Sequence, residues 1–174
     1  MKRSKILIVL ASIIMVGSFL VPMQTHAKPA QKLDFFVQDL MTYEAQNDVV
    51  VTGNVIHVND YQCTHIILVG YIGESPINGY LDSYFKVNHN TLTNKMTVNG
   101  ISIFYITWND YVGGFSGVKA MKIDMNADID AGEYLLTGIF NMHGFGDFEG
   151  MELNGIVYGY VQINFFEGTV LIPN

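Results

Sequence analysis

The stretch Val118-Lys119-Ala120-Met121-Lys122-Ile123-Asp124-Met125-Asn126-Ala127-Asp128-Ile129 alternates strictly over most of its length. Met121, Ile123, Met125, Ala127 and Ile129 fall on one face, and Lys122, Asp124, Asn126 and Asp128 on the other. A period of two belongs to a strand with one dry and one wet face, whereas a helix would repeat its apolar residues every three to four positions. Asp130-Ala131-Gly132 then supplies turn residues leading into a second apolar run, so the segment reads as one arm of an antiparallel hairpin.

The same pattern continues outward in both directions. Runs rich in Val, Ile, Tyr, Phe and Thr predict strands at Asp34–Tyr43, Val49–Val58, Cys63–Tyr71, Tyr80–Val87, Lys95–Val98, Ile101–Trp108, Val118–Ile129, Glu133–Met142, Phe148–Leu153, Ile156–Phe165 and Thr169–Ile172. Only Leu33–Gln46 also fits a short helix, through Phe36, Leu40, Met41 and Tyr43. Many short strands with tight turns and no helical crossovers predict an all-β domain, an antiparallel meander closing into a small barrel, with a β-sandwich as the alternative. Closure is favoured because the chain has few Lys or Pro with which to blunt open sheet edges.

Composition agrees with a packed domain. Of 174 residues 49% are hydrophobic and 14% charged, which excludes a disordered or coiled-coil chain. The amino end stands apart: Lys2, Arg3 and Lys5 precede the 16 uncharged residues Ile6–Val21, and Thr25-His26-Ala27 offers small residues before a cut. This is the three-part pattern of a secretory signal peptide, too short in its apolar part for the roughly 20 residues that span a bilayer comfortably. The expected organisation is a signal at residues 1–27 and a single β-barrel domain at 28–174, secreted or extracytoplasmic after cleavage near Ala27. Removing the three basic residues of the signal leaves six Lys/Arg against 16 Asp/Glu, a formal charge of −10. Such a chain lacks the basic surface that nucleic acid requires, is repelled by anionic lipid, and carries no further apolar run long enough to span a membrane. Cys63, the sole cysteine, can form no intrachain disulfide and reads as a small buried hydrophobe.

Two Asn-Gly pairs suggest two-residue hairpin turns. At Asn99-Gly100 the implied register pairs Val98 with Ile101 and Met96 with Ile103. At Asn154-Gly155 it pairs Leu153 with Ile156, Met151 with Tyr158 and Gly150 with Gly159, leaving a notch that suits a ring, a sharp bend or a ligand. In that ribbon Phe148, Val157, Val161 and Ile163 share the core face with the glycines. Asp147, Glu149, Met151, Tyr158, Tyr160 and Gln162 share the opposite face, which is either solvent surface or a barrel lumen.

The run Gly144-x-Gly146-Asp147-Phe148-Glu149-Gly150-Met151-x-Leu153-x-Gly155-x-x-x-Gly159, with Glu167-Gly168-Thr169-Val170-Leu171-Ile172-Pro173 closing the chain, resembles the glycine-patterned hairpin of small barrels related to the allene oxide cyclase family. The resemblance covers Gly144 to Pro173. It implies an eight-stranded antiparallel barrel with a cavity and, for the enzymes of that family, cyclisation of an unsaturated fatty-acid epoxide. No residue role is carried over.

Several constellations bear on chemistry. In a lumen, burial would raise the carboxyl pKa of Glu149 and make it, with Tyr158 and Tyr160, an acid–base set. Asp124-x-Asn126-x-Asp128-x-Asp130 imitates a calcium loop, but Ile129 and Leu135 occupy the positions of its turn glycine and bidentate Glu, leaving Asp128, Asp130 and Glu133 as a looser cation candidate. His57, His65, His89 and His143 have no zinc-ligand spacing and read as ordinary surface or strand residues, with His143 beside Asp147 the one pair close to a carboxylate. No nucleophile elbow, phosphate loop or dinucleotide fingerprint is present, so no cofactor is expected. Tyr105, Trp108, Tyr111 and Phe115, flanking Gly113-Gly114, form a candidate aromatic ligand-binding loop. The expected function is non-enzymatic binding of an apolar or amphipathic small molecule or of a surface partner, because a Met- and aromatic-rich exported barrel suits an apolar pocket. The alternatives are an isomerase or cyclase with a lumen carboxylate, and a structural envelope protein.

Overall fold

A computed structural model describes residues 30–160 and 162–173. The expected signal segment at residues 1–27 and its expected cleavage position lie outside the described residues. Eight strands follow one another without a helix: β1 (Gln31–Thr52), β2 (Val55–Ile72), β3 (Ser75–Asn90), β4 (Lys95–Trp108), β5 (Tyr111–Asp124), β6 (Leu136–Gly146), β7 (Glu152–Gly159) and β8 (Ile163–Ile172). Each pairs antiparallel with its neighbour in sequence, and β8 returns to β1 to close the ring. The all-β closed meander expected from the alternation is therefore the architecture. The β-sandwich is excluded, and the helix considered within Leu33–Gln46 is strand β1. Its partly helical spacing comes from irregular register, with shifts at Gln38/Asp39 and Met41/Tyr43 that interrupt the period of two.

The strands are fewer and longer than the sequence suggested, because both Asn-Gly pairs lie inside strands. Asn99-Gly100 is in β4, where Gly100 pairs with Phe85 and Lys119, and Asn154-Gly155 is in β7, where Gly155 pairs with Phe140 and Gly168. The tight turns fall elsewhere, at Gly53-Asn54, Gly73-Glu74 and Asn109-Asp110. In each, the first central residue has a positive φ (59°, 60° and 53°) and the second does not, the φ signs of a type II′ hairpin. The long alternating run ends at Asp124 instead of Ile129. Asp124 Oδ1 accepts from the Asn126 amide at 3.1 Å and Asp128 Oδ1 from the Ala131 amide at 3.2 Å, so the carboxylates draw the backbone out of the ladder.

The in-strand glycines make room for rings. Following the pairings around the interior, one inward rung reads Phe35, Gly168, Gly155, Phe140, Lys119, Gly100, Phe85. A Cβ at Gly155 would run into the Glu167 carbonyl and the Phe140 ring, and one at Gly100 into the Tyr84 carbonyl and Phe85. Phe35 and Phe140 approach edge to face above the paired glycines, with centroids 6.3 Å apart. The notch between opposed glycines is thus filled by aromatic rings, although its members are Gly155 and Gly168, not Gly150 and Gly159.

One end of the ring is solid. Phe104 packs on Phe35 and Phe166 at 5.7 and 5.1 Å, and Phe148 closes the mouth against Phe115, Tyr111 and Trp108 at 5.2, 5.9 and 6.3 Å. Phe148 comes from the turn between β6 and β7 and is wholly buried, like a stopper pressed into the barrel.

Candidate functional site

The other end is open. From the Lys119 rung outward, the interior holds a cavity of about 400 Å³, within the usual size range of small-molecule sites. Its walls are mostly apolar, with Met96, Met121, Ile123, Val58 and Val98 among them. They follow from strand alternation: the rung through Asn164, Gly159, Leu136, Ile123, Met96, His89 and Ile56 places alternate residues of seven strands inward.

The floor is polar. Asp39 on β1 is fully buried, and its Oδ1 accepts from His65 Nδ1 of β2 at 3.0 Å and from Asn164 Nδ2 and the Asn164 amide of β8 at 3.1 and 3.3 Å. Asp39 Oδ2 and Asn164 Oδ1 are buried without a hydrogen-bond partner among the described residues. Lys119, His65, Cys63 and Asn164 all border the cavity.

Lys119 is the unusual group. It is 3% exposed, and its Nζ lies 4.5 Å from the centroid of Phe166 and 5.5 Å from that of Phe85. Among the described residues its ammonium has no carboxylate within salt-bridge distance; the sole bridge from a lysine joins exposed Lys95 to Asp124 at 2.7 Å. Burial pushes its pKa below the usual lysine range, and Asp39 and Cys63 oppose the shift less strongly. The Cys63 thiol is pushed up to about 11 by burial, so it stays protonated and inert at neutral pH. Tyr61, which donates to Glu44 Oε2 at 2.9 Å near the mouth, is likewise pushed well above its ordinary range, first by burial.

No family model matches this chain, and a search of curated proteins finds no match.

The residues singled out from sequence lie apart from this floor. Glu149 is exposed in the β6–β7 turn. Tyr158 is on the outer face of β7, where it donates to Glu167 and stacks on Phe165, and Tyr160 follows the end of that strand near Tyr134. The three do not form a lumen acid–base set, because the true turn at residues 147–150 puts Glu149 outside the strand and the register of β7 turns Tyr158 outward. Among the four aromatics, Phe115 and Trp108 are core at the stoppered end, Tyr111 is partly exposed beside them, and Tyr105 stacks on Tyr80 of the outer wall at 4.7 Å. All four belong to strands β4 and β5, which a two-residue turn joins, instead of to a loop. Asp128 and Glu133 serve the backbone of the β5–β6 connection, Glu133 Oε2 accepting from the Asp128 amide at 2.8 Å, and neither these nor Asp130 belong to a metal-competent cluster among the described residues. His143 is exposed, and Asp147 Oδ2 accepts from the Val112 amide at 2.8 Å. No helix of the described residues is long and apolar enough to cross a membrane.

Proposed function

We propose that this chain is an exported, non-enzymatic binding barrel that takes an apolar or amphipathic small molecule into the open half of its interior. The observation that carries this reading is the cavity itself: about 400 Å³ open at one end, walled by methionine and branched aliphatic side chains and ending on a polar floor. Methionine walls adapt to ligand shape, and convergent polar groups at one end orient a molecule with a polar head. The amino-terminal signal pattern supports an extracytoplasmic site of action.

Native mass spectrometry of protein purified from its host should reveal a co-purifying lipid-like ligand, and the delipidated protein should bind an apolar fluorescent dye. Met96→Trp, which puts an indole into the cavity from β4, should abolish dye binding while leaving the far-ultraviolet β spectrum unchanged. Repeated recovery of empty protein that takes up no dye would remove the reading and favour a structural envelope role.

A second reading is favoured by the buried Asp39–His65 pair. In an isomerase or cyclase of the allene oxide cyclase type, a lumen carboxylate beside an apolar chamber would stabilise positive charge on a bound substrate. Turnover of an unsaturated epoxide that is lost in Asp39→Asn would support it, while unchanged turnover in that variant would exclude Asp39 as the group responsible.

A further inference from the structure

We propose that Lys119 is a carbonyl-capturing residue: its amine condenses with an apolar aldehyde held in the cavity, giving an imine inside the barrel. This inference rests on the binding reading above and names the ligand class and the reactive atom.

Three observations support it. Lys119 projects inward from β5 between Gly100 of β4 and Phe140 of β6, so the chain on either side presents no carboxylate to fix its ammonium. The groups facing it from across the interior are the rings of Phe85 on β3 and Phe166 on β8, with Asp39 of β1 and Cys63 of β2 acting on it through their charge or partial charge. The ring faces offset only part of what an ammonium loses on leaving water, so the neutral amine is accessible. A neutral amine bordering an apolar chamber is the form of lysine that attacks carbonyl carbon.

The chemistry balances without a further reagent. The amine lone pair forms the C–N bond, the carbonyl oxygen departs as water carrying both amine protons, and nothing is oxidised or reduced. Asp39 is then the fixed negative charge for a protonated imine. A carboxylate ligand suits the floor less well. Lys119 is the sole buried Lys or Arg among the described residues, and it is already coupled electrostatically to the buried Asp39.

The test is reductive trapping. The protein is incubated with decanal and cyanoborohydride at about pH 6.5, where ordinary lysines near pKa 10.4 are almost wholly protonated, then digested and mapped by mass spectrometry. The expected result is N-decylation at Lys119 in about tenfold excess over each of the exposed Lys86, Lys95 and Lys122. Lys119→Met and Lys119→Arg should lose that adduct and still bind the apolar dye, and decanol, which cannot form an imine, should displace dye from the parent protein. If decanal and decanol both displace dye but labelling simply follows exposure, the imine is overturned and the binding reading stands. If neither displaces dye and Lys119 stays unmodified, both fall.

Discussion

The two halves of the barrel interior are built from the same eight strands and by the same alternation, yet one is solid and the other hollow. At the solid end phenylalanines meet edge to face and the turn between β6 and β7 presses Phe148 into the opening. At the hollow end the inward positions carry methionines and aliphatics too short to meet across the axis, above a floor of His65, Asn164 and Lys119 with Asp39 buried behind them. Side-chain length, set residue by residue along each strand, decides where stability is concentrated and where space is left for a guest. The two are separated by a single rung shared by three phenylalanines, three glycines and Lys119.

This contrast can be broken from either side. The largest effect is expected at the solid end: Phe148→Ala opens the stoppered mouth and should destabilise the protein by about 4 kcal/mol in chemical denaturation, with dye binding retained by the folded fraction. Asp39→Ala strikes the floor, leaving the donors of His65 and Asn164 without their common acceptor, and should cost about 3 kcal/mol while also weakening retention of a polar head group.

Lys119→Met works in the opposite direction. Replacing a buried amine whose protonation the fold disfavours with a thioether of similar length should stabilise by about 2 kcal/mol near neutral pH. The gain should depend on pH, because the folded pKa of Lys119 lies below its ordinary value of 10.5. Between those values the unfolded chain binds more protons, so the parent gains stability as pH rises, and the advantage of the variant should be largest at low pH and shrink toward 10.5.

The smallest effect lies outside both halves. Tyr158 is held above its ordinary value of 10.0, at about 12, first by its hydrogen bond to Glu167. The stability it contributes is present below pH 10.0 and lost as pH rises toward 12, so Tyr158→Phe should lower neutral stability, by a small amount because the pair is exposed and screened, and flatten the fall above pH 10.0. A change in dye affinity in this variant would mean that the outer wall communicates with the cavity.

The alternation of Val118–Ile129 carried the fold class, since no helix could present Met121, Ile123 and Met125 on one side. Extended one step toward the amino end, the same alternation places Lys119 on the apolar face beside Met121, so the central residue of the floor was legible in principle. Its charge argued for the surface, and only the closing of the ring puts it beneath Phe166. Asp39 was less accessible, because the register shift beside it hides its face and lends the segment a partly helical spacing. Asn99-Gly100 and Asn154-Gly155 misled for a related reason. A glycine needed for a turn and a glycine needed beneath an aromatic ring look alike until the neighbouring strands are known, and Phe140 lies 15 residues from the Gly155 it covers.

The seam between β1 and β8 has a kinetic meaning. Seven of the eight pairings join strands adjacent in sequence and can form soon after their hairpin turns, but the eighth brings Gln31–Leu40 against Ile163–Ile172 from opposite ends of the domain. Closing so long a loop is entropically unfavourable and slow, so the ring stays an open sheet until its last strand arrives. During that interval both edges offer unpaired amides to other chains. A chain ended before Ile163 by a stop codon should therefore be more prone to aggregate than one weakened anywhere in its core.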